Sequence, residues 1–339
     1  MGISDCPRER IERRFTERLD EPVHLAHRSI AGEGLSDETA ILDFDRPSGE
    51  PLRLVVRLFR PGTVARHEVR PERLHRLLTT LSVAGLPVPR PLWFDPDPEL
   101  FGGPYSVVSW QPGSAVVPWS PEGRAYLAEA GRGPIGDLFV RLLADIHAVD
   151  WRALDLGFLG VPGPGRGFAE ARVAELERYL RRVRVEPEPL LVDALGLLRN
   201  QIPPSARTAL VHGDYRTGNL LFEDDRVTAV LDWEFAALGD PLYDLGWVCC
   251  PSNRIGTELV CMLLPEETLL TRYERCTGTT VNRTALRFWV LFHQVRHAVM
   301  WLEAGHSFES GATDDLRLAR MHYTMPIMRR MVADLLEAA

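Results

Sequence analysis

The chain has 339 residues and no lysine; all 39 of its basic residues are arginine. Two chemistries that need a lysine are thereby excluded. One is the P-loop, whose GxxxxGK[ST] lysine reaches the nucleotide phosphates. The other is pyridoxal catalysis, which starts from a lysine Schiff base. Cysteine is scarce: Cys6, Cys249, Cys250, Cys261 and Cys276 form no CxxC pair and are odd in number. That reads as reduced thiols of a cytoplasmic protein, not a disulfide framework. No apolar run approaches the roughly 18 residues of a membrane span. The charged first dozen residues lack the apolar stretch of a secretory signal. Positive charge is in deficit, with 39 arginines against 47 acids and a net charge of −8. This disfavours a nucleic-acid binder and leaves cationic or neutral small substrates open. No GxSxG elbow of a serine hydrolase is present. His293 and His297 stand four apart in an expected helix, but Gln294 occupies the place of the HExxH glutamate and no third ligand is evident, so both read as packing. What remains is ordinary globular composition, 45% hydrophobic and 25% charged, long enough for two domains or one two-lobed unit.

Along the chain the texture changes once. The first 20 residues are rich in charge and read as a solvated helix. Ala40–Asp45 and Pro51–Phe59 are β-rich runs separated by Arg46-Pro47-Ser48-Gly49-Glu50, strong turn chemistry. Pro71 can open a helix carrying Leu74, Leu77, Leu78 and Leu81 at helical spacing, which Leu86-Pro87-Val88-Pro89 ends. Tyr105–Trp110 is a further β run, stopped by Gln111-Pro112-Gly113. Beyond Gly113 the pattern is mostly helical: Asp137–His147, Phe168–Val183, Pro189–Arg199 and much of Pro265–Ala339, where Met325, Met328 and Met331 read as helix packing. Two β runs interrupt it, Ala209–Phe222 with a loop inside and Val227–Phe235. The plan is a sheet-rich N-terminal lobe, a short connector and a helical C-terminal lobe.

The chemistry is concentrated in Leu210–Gly246, LVHGDYRTGNLLFEDDRVTAVLDWEFAALGDPLYDLG. His212-x-Asp214 is followed by Asn219 five residues on; Asp232 ends an apolar run 13 residues later, and Asp240 and Asp244 follow. Phosphoryl transfer from a nucleotide needs such a set. A carboxylate orients the attacking hydroxyl and takes its proton, while an Asn and an Asp hold Mg²⁺ against the phosphates. Asn219 and Asp232 can flank one metal if loop and strand are neighbours, as in a tight hairpin.

HGDYRTGN followed by VLDWEFAALGDPLYDLGW resembles the aminoglycoside phosphotransferase family, and within it the group related to the kinase-like domains fused to acyl-CoA dehydrogenases. The resemblance covers roughly residues 25–330. It implies an α+β, two-lobed protein-kinase-like fold with a small antiparallel-sheet N-lobe and a mostly helical C-lobe. The nucleotide lobe would be 1–108, the hinge 109–113, and the catalytic and acceptor-binding lobe 114–339. It implies an ATP- and Mg²⁺-dependent enzyme that phosphorylates a hydroxyl of a small molecule, an aminoglycoside or a hydroxylated metabolite or acyl-CoA. By this resemblance Asp214 is the catalytic base, Asn219 and Asp232 are the Mg²⁺ ligands, and Arg216 is a cation near the γ-phosphate. His212 packs beneath the catalytic loop, Asp244 braces that loop, and His147 in LADIHAVDW is structural. Trp233 and Glu234 read as packing and loop contacts.

In the N-lobe, Gly32, Gly34 and Ser36 match the family's nucleotide loop, although a short GxG is also a plain turn. Arg57 in LVVRLFRPG stands where such kinases carry a lysine, and a guanidinium can grip two phosphate oxygens. Its helix acid is Glu72 or Glu68, while the family register falls nearer Leu74. Ser109, Trp110 and Gln111 form the hinge that would present backbone groups to adenine. Trp289 and Trp301 read as core, with an acceptor-pocket role as the alternative. From Asp240 to Ala339 there are 12 acids and 10 arginines, a balance that does not single out a polycationic acceptor. Two rivals stay open: a nucleotide-binding pseudokinase acting as a scaffold, and a metal hydrolase using Asp214, Asp232 and His212.

Overall fold

Strict alternation builds the centre of a sheet. In β2 (Glu38–Asp45) Ala40, Leu42 and Phe44 are buried, and in β3 (Leu52–Leu58) Leu54, Val56 and Leu58 are buried, because side chains two apart share one face of a strand. The structure, a computed structural model, describes residues 2–31, 38–59 and 70–338. It divides into two units, Met1–Pro112 and Gly113–Ala339.

The first unit opens with α1 (Arg8–Leu19) and β1 (His24–Ala31), and continues through β2, β3, α2 (Pro71–Val83), β4 (Pro91–Asp95) and β5 (Tyr105–Ser109). Its five strands run in the order β1-β2-β3-β5-β4, every neighbouring pair antiparallel. Gly49 closes the β2–β3 turn in the left-handed region at φ +77°, its N–H bonded to the Arg46 carbonyl, a conformation glycine adopts without steric cost.

The first helix differs from the sequence expectation. Eight of the twelve residues of α1 are charged, yet Ile11 and Phe15 are fully buried in the sheet's core. Phe15 lies 5.0 Å from the Phe44 ring and 5.2 Å from that of Trp93. Two apolar residues at i and i+4 make one narrow stripe, enough to dock the helix at about 2 kcal/mol for each side chain. The abundance of charge on the other face hides it.

The second unit begins with β6 (Ser114–Ala115), α3 (Pro121–Ala130), α4 (Pro134–Ala148), α5 (Gly167–Val183) and α6 (Pro189–Asn200). Then come β7 (Ala209–Val211), β8 (Leu220–Glu223), β9 (Arg226–Val230), β10 (Ala237–Gly239) and α7 (Leu242–Cys249). It ends with α8 (Glu266–Thr277), α9 (Arg283–Glu309), α10 (Leu316–Tyr323) and α11 (Met325–Glu337). The helix α9 is buried on most of its circumference, the mark of a central helix. Its Trp289, Phe292 and Val295 share a core with residues of α5, α6, α7 and α11, including Met325 and Met328. A Cβ on Gly246 would stand 2.4 Å from Cβ of Trp289, so a glycine there lets α7 lie against α9. No helix among the described residues is long and apolar enough to cross a membrane.

Candidate active site

The site is built from one short pairing and one hairpin. β7 pairs with β10 antiparallel, Val211 opposite Ala237, and the chain leaves β7 at His212. β8 and β9 form a hairpin with Leu220 opposite Val230. The expected β run Val227–Phe235 stops at Val230, and Asp232 adopts φ 58°, ψ 54°. A non-glycine residue in this left-handed region is uncommon and cannot continue a strand.

Asp244, in the first turn of α7 and fully buried, fixes the loop after β7. Its carboxylate accepts the N–H groups of His212 and Gly213, both at 2.7 Å, and faces Nε2 of His147 at 3.1 Å. The other ring nitrogen of His147 lies 2.7 Å from the Tyr273 hydroxyl. Gly213 stands at φ +83°, where a Cβ would come within 2.5 Å of the Phe235 carbonyl. His212 is buried beneath the loop. Its Nδ1 accepts the Asp214 N–H at 3.1 Å and its Nε2 reaches the Leu231 carbonyl at 2.8 Å, which assigns the proton to Nε2. The Trp233 ring lies 4.6 Å from it, with its indole N–H given to Val230.

Asp214 emerges from this frame partly exposed. Asn219, buried, gives its amide N–H groups to the Asp214 carbonyl at 2.9 Å and to Asp214 Oδ2 at 2.8 Å. Both amide hydrogens are then spent, and the amide oxygen is the end that can face a cation. The Asn219 backbone carbonyl accepts the Leu231 N–H at 2.8 Å, one residue before the exposed Asp232. The hairpin therefore brings Asp214, Asn219 and Asp232 into one neighbourhood. Arg216 Nε lies 3.4 Å from Asp214 Oδ1. Asp240 holds the start of α7 by accepting the Leu242 N–H at 2.9 Å and the Trp289 indole N–H at 3.3 Å; its burial raises its pKa. Among the described residues, no group of three His, Cys, Asp or Glu side chains could hold a metal. The donor set here is instead an amide oxygen and a carboxylate. Hard oxygens in that number suit Mg²⁺, which takes one or two protein ligands and completes its shell from phosphates and water.

The first unit supplies fewer of the expected contacts. Arg57 stands mid-strand in β3, opposite Thr39 and Ser106, with its guanidinium carbon 5.8 Å from the Phe59 ring centre. Glu72 is exposed in the first turn of α2. Gly32, Gly34, Ser36 and Glu68 lie outside the described residues. At the end of β5 the N–H groups of Ser109 and Trp110 already serve the carbonyls of Arg90 and Arg53, and the Gln111 side chain bonds Ser109 Oγ at 2.8 Å. One residue that sequence reasoning passes over is Arg296 of α9. Its guanidinium carbon lies 4.6 Å from the Phe235 ring centre, and its Nη1 is 3.4 Å from the Gly213 carbonyl. No local spacing signals a contact between segments 83 residues apart.

The model of the phosphotransferase enzyme family matches residues 29–289. The chain belongs to that family. Among curated proteins this phosphotransferase is similar to acyl-CoA dehydrogenase family member 10 of Mus musculus, 29% identical over 66% of the chain and 21% of the relative. It thus spans about a fifth of that relative's length. Among solved structures it is similar to a Ralstonia eutropha protein assigned as an aminoglycoside phosphotransferase. That match has a TM-score of 0.73 and 22% identity over 98% of this chain and 99% of that one. It is also similar to a thermostable mutant of an aminoglycoside phosphotransferase solved with ADP and hygromycin B, at a TM-score of 0.56 and 19% identity over 95% and 98% of the two chains. The fold of the phosphotransferase is α+β and protein-kinase-like, a small antiparallel-sheet lobe followed by a mostly helical one.

Proposed function

We propose that the protein transfers the γ-phosphate of ATP to a hydroxyl of a small molecule. The observation that carries this reading is the double hydrogen bond from the Asn219 amide to Asp214, on a loop tied by one backbone bond to the residue before Asp232. In this reading that loop and hairpin carry the base and the two oxygen donors. Asp214 orients the acceptor hydroxyl and takes its proton as that oxygen bonds to the γ-phosphorus and the bond to the ADP oxygen breaks. Asn219 and Asp232 would hold Mg²⁺, which supplies charge neutralisation at the phosphates when bound. Arg216, against Asp214 Oδ1, would share that duty as phosphate charge arrives. Catalysis by this set is mainly positioning and electrostatics.

In the same reading residues 1–108 form the nucleotide lobe, 109–113 the hinge and 114–339 the acceptor lobe. Arg57 is the phosphate cation of the sheet, with Glu72 as the expected helix acid, and Gly32, Gly34 and Ser36 form the nucleotide loop. Backbone groups of Ser109, Trp110 and Gln111 read adenine; two of their N–H groups serve the sheet, so carbonyls and Gln111 carry that part. The five free thiols suit a reducing compartment such as the cytoplasm.

The test is transfer of labelled γ-phosphate to a panel of aminoglycosides, macrolides, amino alcohols and hydroxyacyl-CoA esters. The wild type is expected to label at least one acceptor. Asp214→Asn should cut that rate about a thousandfold while retaining Mg·ATP binding. Equal transfer by the variant overturns the assignment of Asp214, and nucleotide binding with no transfer to any acceptor leaves a scaffold instead of an enzyme.

A further inference from the structure

Resting on the phosphotransferase reading, we propose that Arg296 is an acceptor-specificity residue: its guanidinium forms an anion-binding point beside Asp214, and the acceptor carries an acidic group a short chain away from the hydroxyl that is phosphorylated.

The argument begins with charge accounting around the loop. Arg296 is half-buried on α9, and no carboxylate among the described residues lies within ion-pair distance of it. Its contacts are the face of Phe235 and the carbonyl of Gly213. A partly desolvated guanidinium is stabilised by an aromatic face and a carbonyl, but neither cancels its charge. The nearest acid along its helix, Glu303, stands seven residues on and accepts from the Tyr179 hydroxyl, a group that feels the charges of both Glu303 and Arg296. Arg216 has Asp214 as its partner, and Arg254 has Glu266. Among these three arginines Arg296 is the one with no carboxylate within ion-pair distance among the described residues. Gly213 immediately precedes Asp214, and consecutive Cα atoms are about 3.8 Å apart. The charge therefore stands within a small molecule's length of the proposed base.

Its field is felt on the surrounding groups. Burial first, and then the charges of Arg296 and Arg216, pull the imidazole of His297 down to about 3. His297 is accordingly neutral, with Nδ1 2.8 Å from Ser252 Oγ. Trp301 packs edge-on against His297 at 5.2 Å. The groups around His297 are thus the cations Arg296 and Arg216, the neutral His297 and Ser252, and the Trp301 edge, with Arg216 already paired to Asp214. They suit a small acid with an apolar body. They oppose an ammonium, which would meet a like charge there.

The experiment compares β-hydroxybutyrate, its methyl ester and the matching amino alcohol, three probes that share a hydroxyl and differ in the charge at the far end. Binding is read by tryptophan fluorescence in the presence of Mg·ADP, and transfer by release of ADP from ATP. The acid is expected to bind at least tenfold more tightly than the ester, and the amino alcohol weakest of all. Arg296→Gln should collapse the acid-to-ester ratio to within about threefold, and Arg296→Lys should restore part of it, with the thermal melting of each variant showing that it is folded. Equal binding of acid and ester by the wild type, or a ratio that survives in folded Arg296→Gln, overturns the proposal even if phosphate is transferred. Charge-selective binding without any transfer upholds the anion site and fails the kinase reading instead.

Discussion

Asp95 of the sheet unit and Asp244 of the helical unit are buried aspartates that gather donors from distant parts of the chain, and the two do it differently. In the sheet unit Asp95 draws on charge. It accepts from Arg14 at 2.6 Å and Arg18 at 3.0 Å, both on α1, and from the Tyr105 hydroxyl at 3.0 Å. Burial alone would raise its pKa; the hydrogen bonds from Arg18, the Asp97 N–H, Arg14 and Tyr105 outweigh it and hold the carboxyl down to about 2. In the helical unit Asp244 draws on the backbone, through the two N–H groups that set the shape of the loop at His212 and Gly213. The first arrangement anchors an element. The second defines a conformation, and that conformation aims Asp214. A charged anchor tolerates some slack in long side chains, whereas backbone donors held at 2.7 Å do not.

Removing the second carboxylate should therefore have the larger effect. Asp244→Ala leaves two buried N–H groups and His147 without their acceptor, at roughly 1–3 kcal/mol for each unsatisfied group. A loss near 4 kcal/mol is expected in urea unfolding. If Asp214 is the base, transfer by the remaining folded protein should drop about a hundredfold, the scale of an ångström's misplacement at a reacting centre. Unchanged transfer would break the contrast, because the loop would then hold its shape without the brace. Asp95→Asn comes next. It should cost about 3 kcal/mol, at the low end for breaking a buried ion pair because Arg14 and Arg18 keep access to water. Transfer per folded molecule should stay within about twofold.

Acid should separate the two units as well. His293 and His297 are buried as neutral imidazoles, each with its pKa lowered first by burial and then by Arg296. Below the ordinary imidazole value of 6.5 the unfolded chain takes up protons that the folded unit refuses. Both rings therefore cost the helical unit stability as pH falls below that value, by up to about 1.4 kcal/mol per pH unit for each, and for His297 the loss continues toward about 3. Asp95 has the opposite sign of charge and a lower window. Its contribution, about 2 kcal/mol, is complete above the ordinary aspartate value of 3.8 and is lost as pH falls through about 2. Hydrogen exchange between pH 7 and pH 3 should find the helical unit opening first, and His297→Asn should flatten its slope. Simultaneous opening of both units would show that these groups do not set the order.

What the sequence discloses follows from how far apart in the chain the partners are. Asp214, Asn219 and Asp232 are legible because one loop and one hairpin bring them together. Local turn chemistry and strand pairing decide that geometry, and both leave a residue pattern. Arg296 is not legible, since its place against Phe235 and Gly213 depends on how α9 docks in the helical core. Asp95 is not legible for the same reason: its partners are 77 and 81 residues away on α1. The burial of α1 is legible in principle from Ile11 and Phe15, one turn apart, but the eight charges around them dominate any average over the segment.

Glu72 tests the same lesson from the weak side. Chain position makes it the candidate acid for Arg57, and it opens α2, where a negative charge meets the positive end of the helix dipole. That placement alone is worth about 0.5 kcal/mol at an exposed first-turn site, and Glu72 is exposed. If the dipole is all it serves, Glu72→Gln should lower stability by no more than that amount, and the KM for ATP should move less than about twofold. An acid that pairs with a phosphate-binding arginine behaves differently. Its loss would raise the KM for ATP tenfold or more while leaving the unfolding midpoint nearly unchanged, since an exposed ion pair contributes little to folding. The solvent exposure of Glu72 favours the first result, which would place the partner of Arg57 elsewhere in the chain.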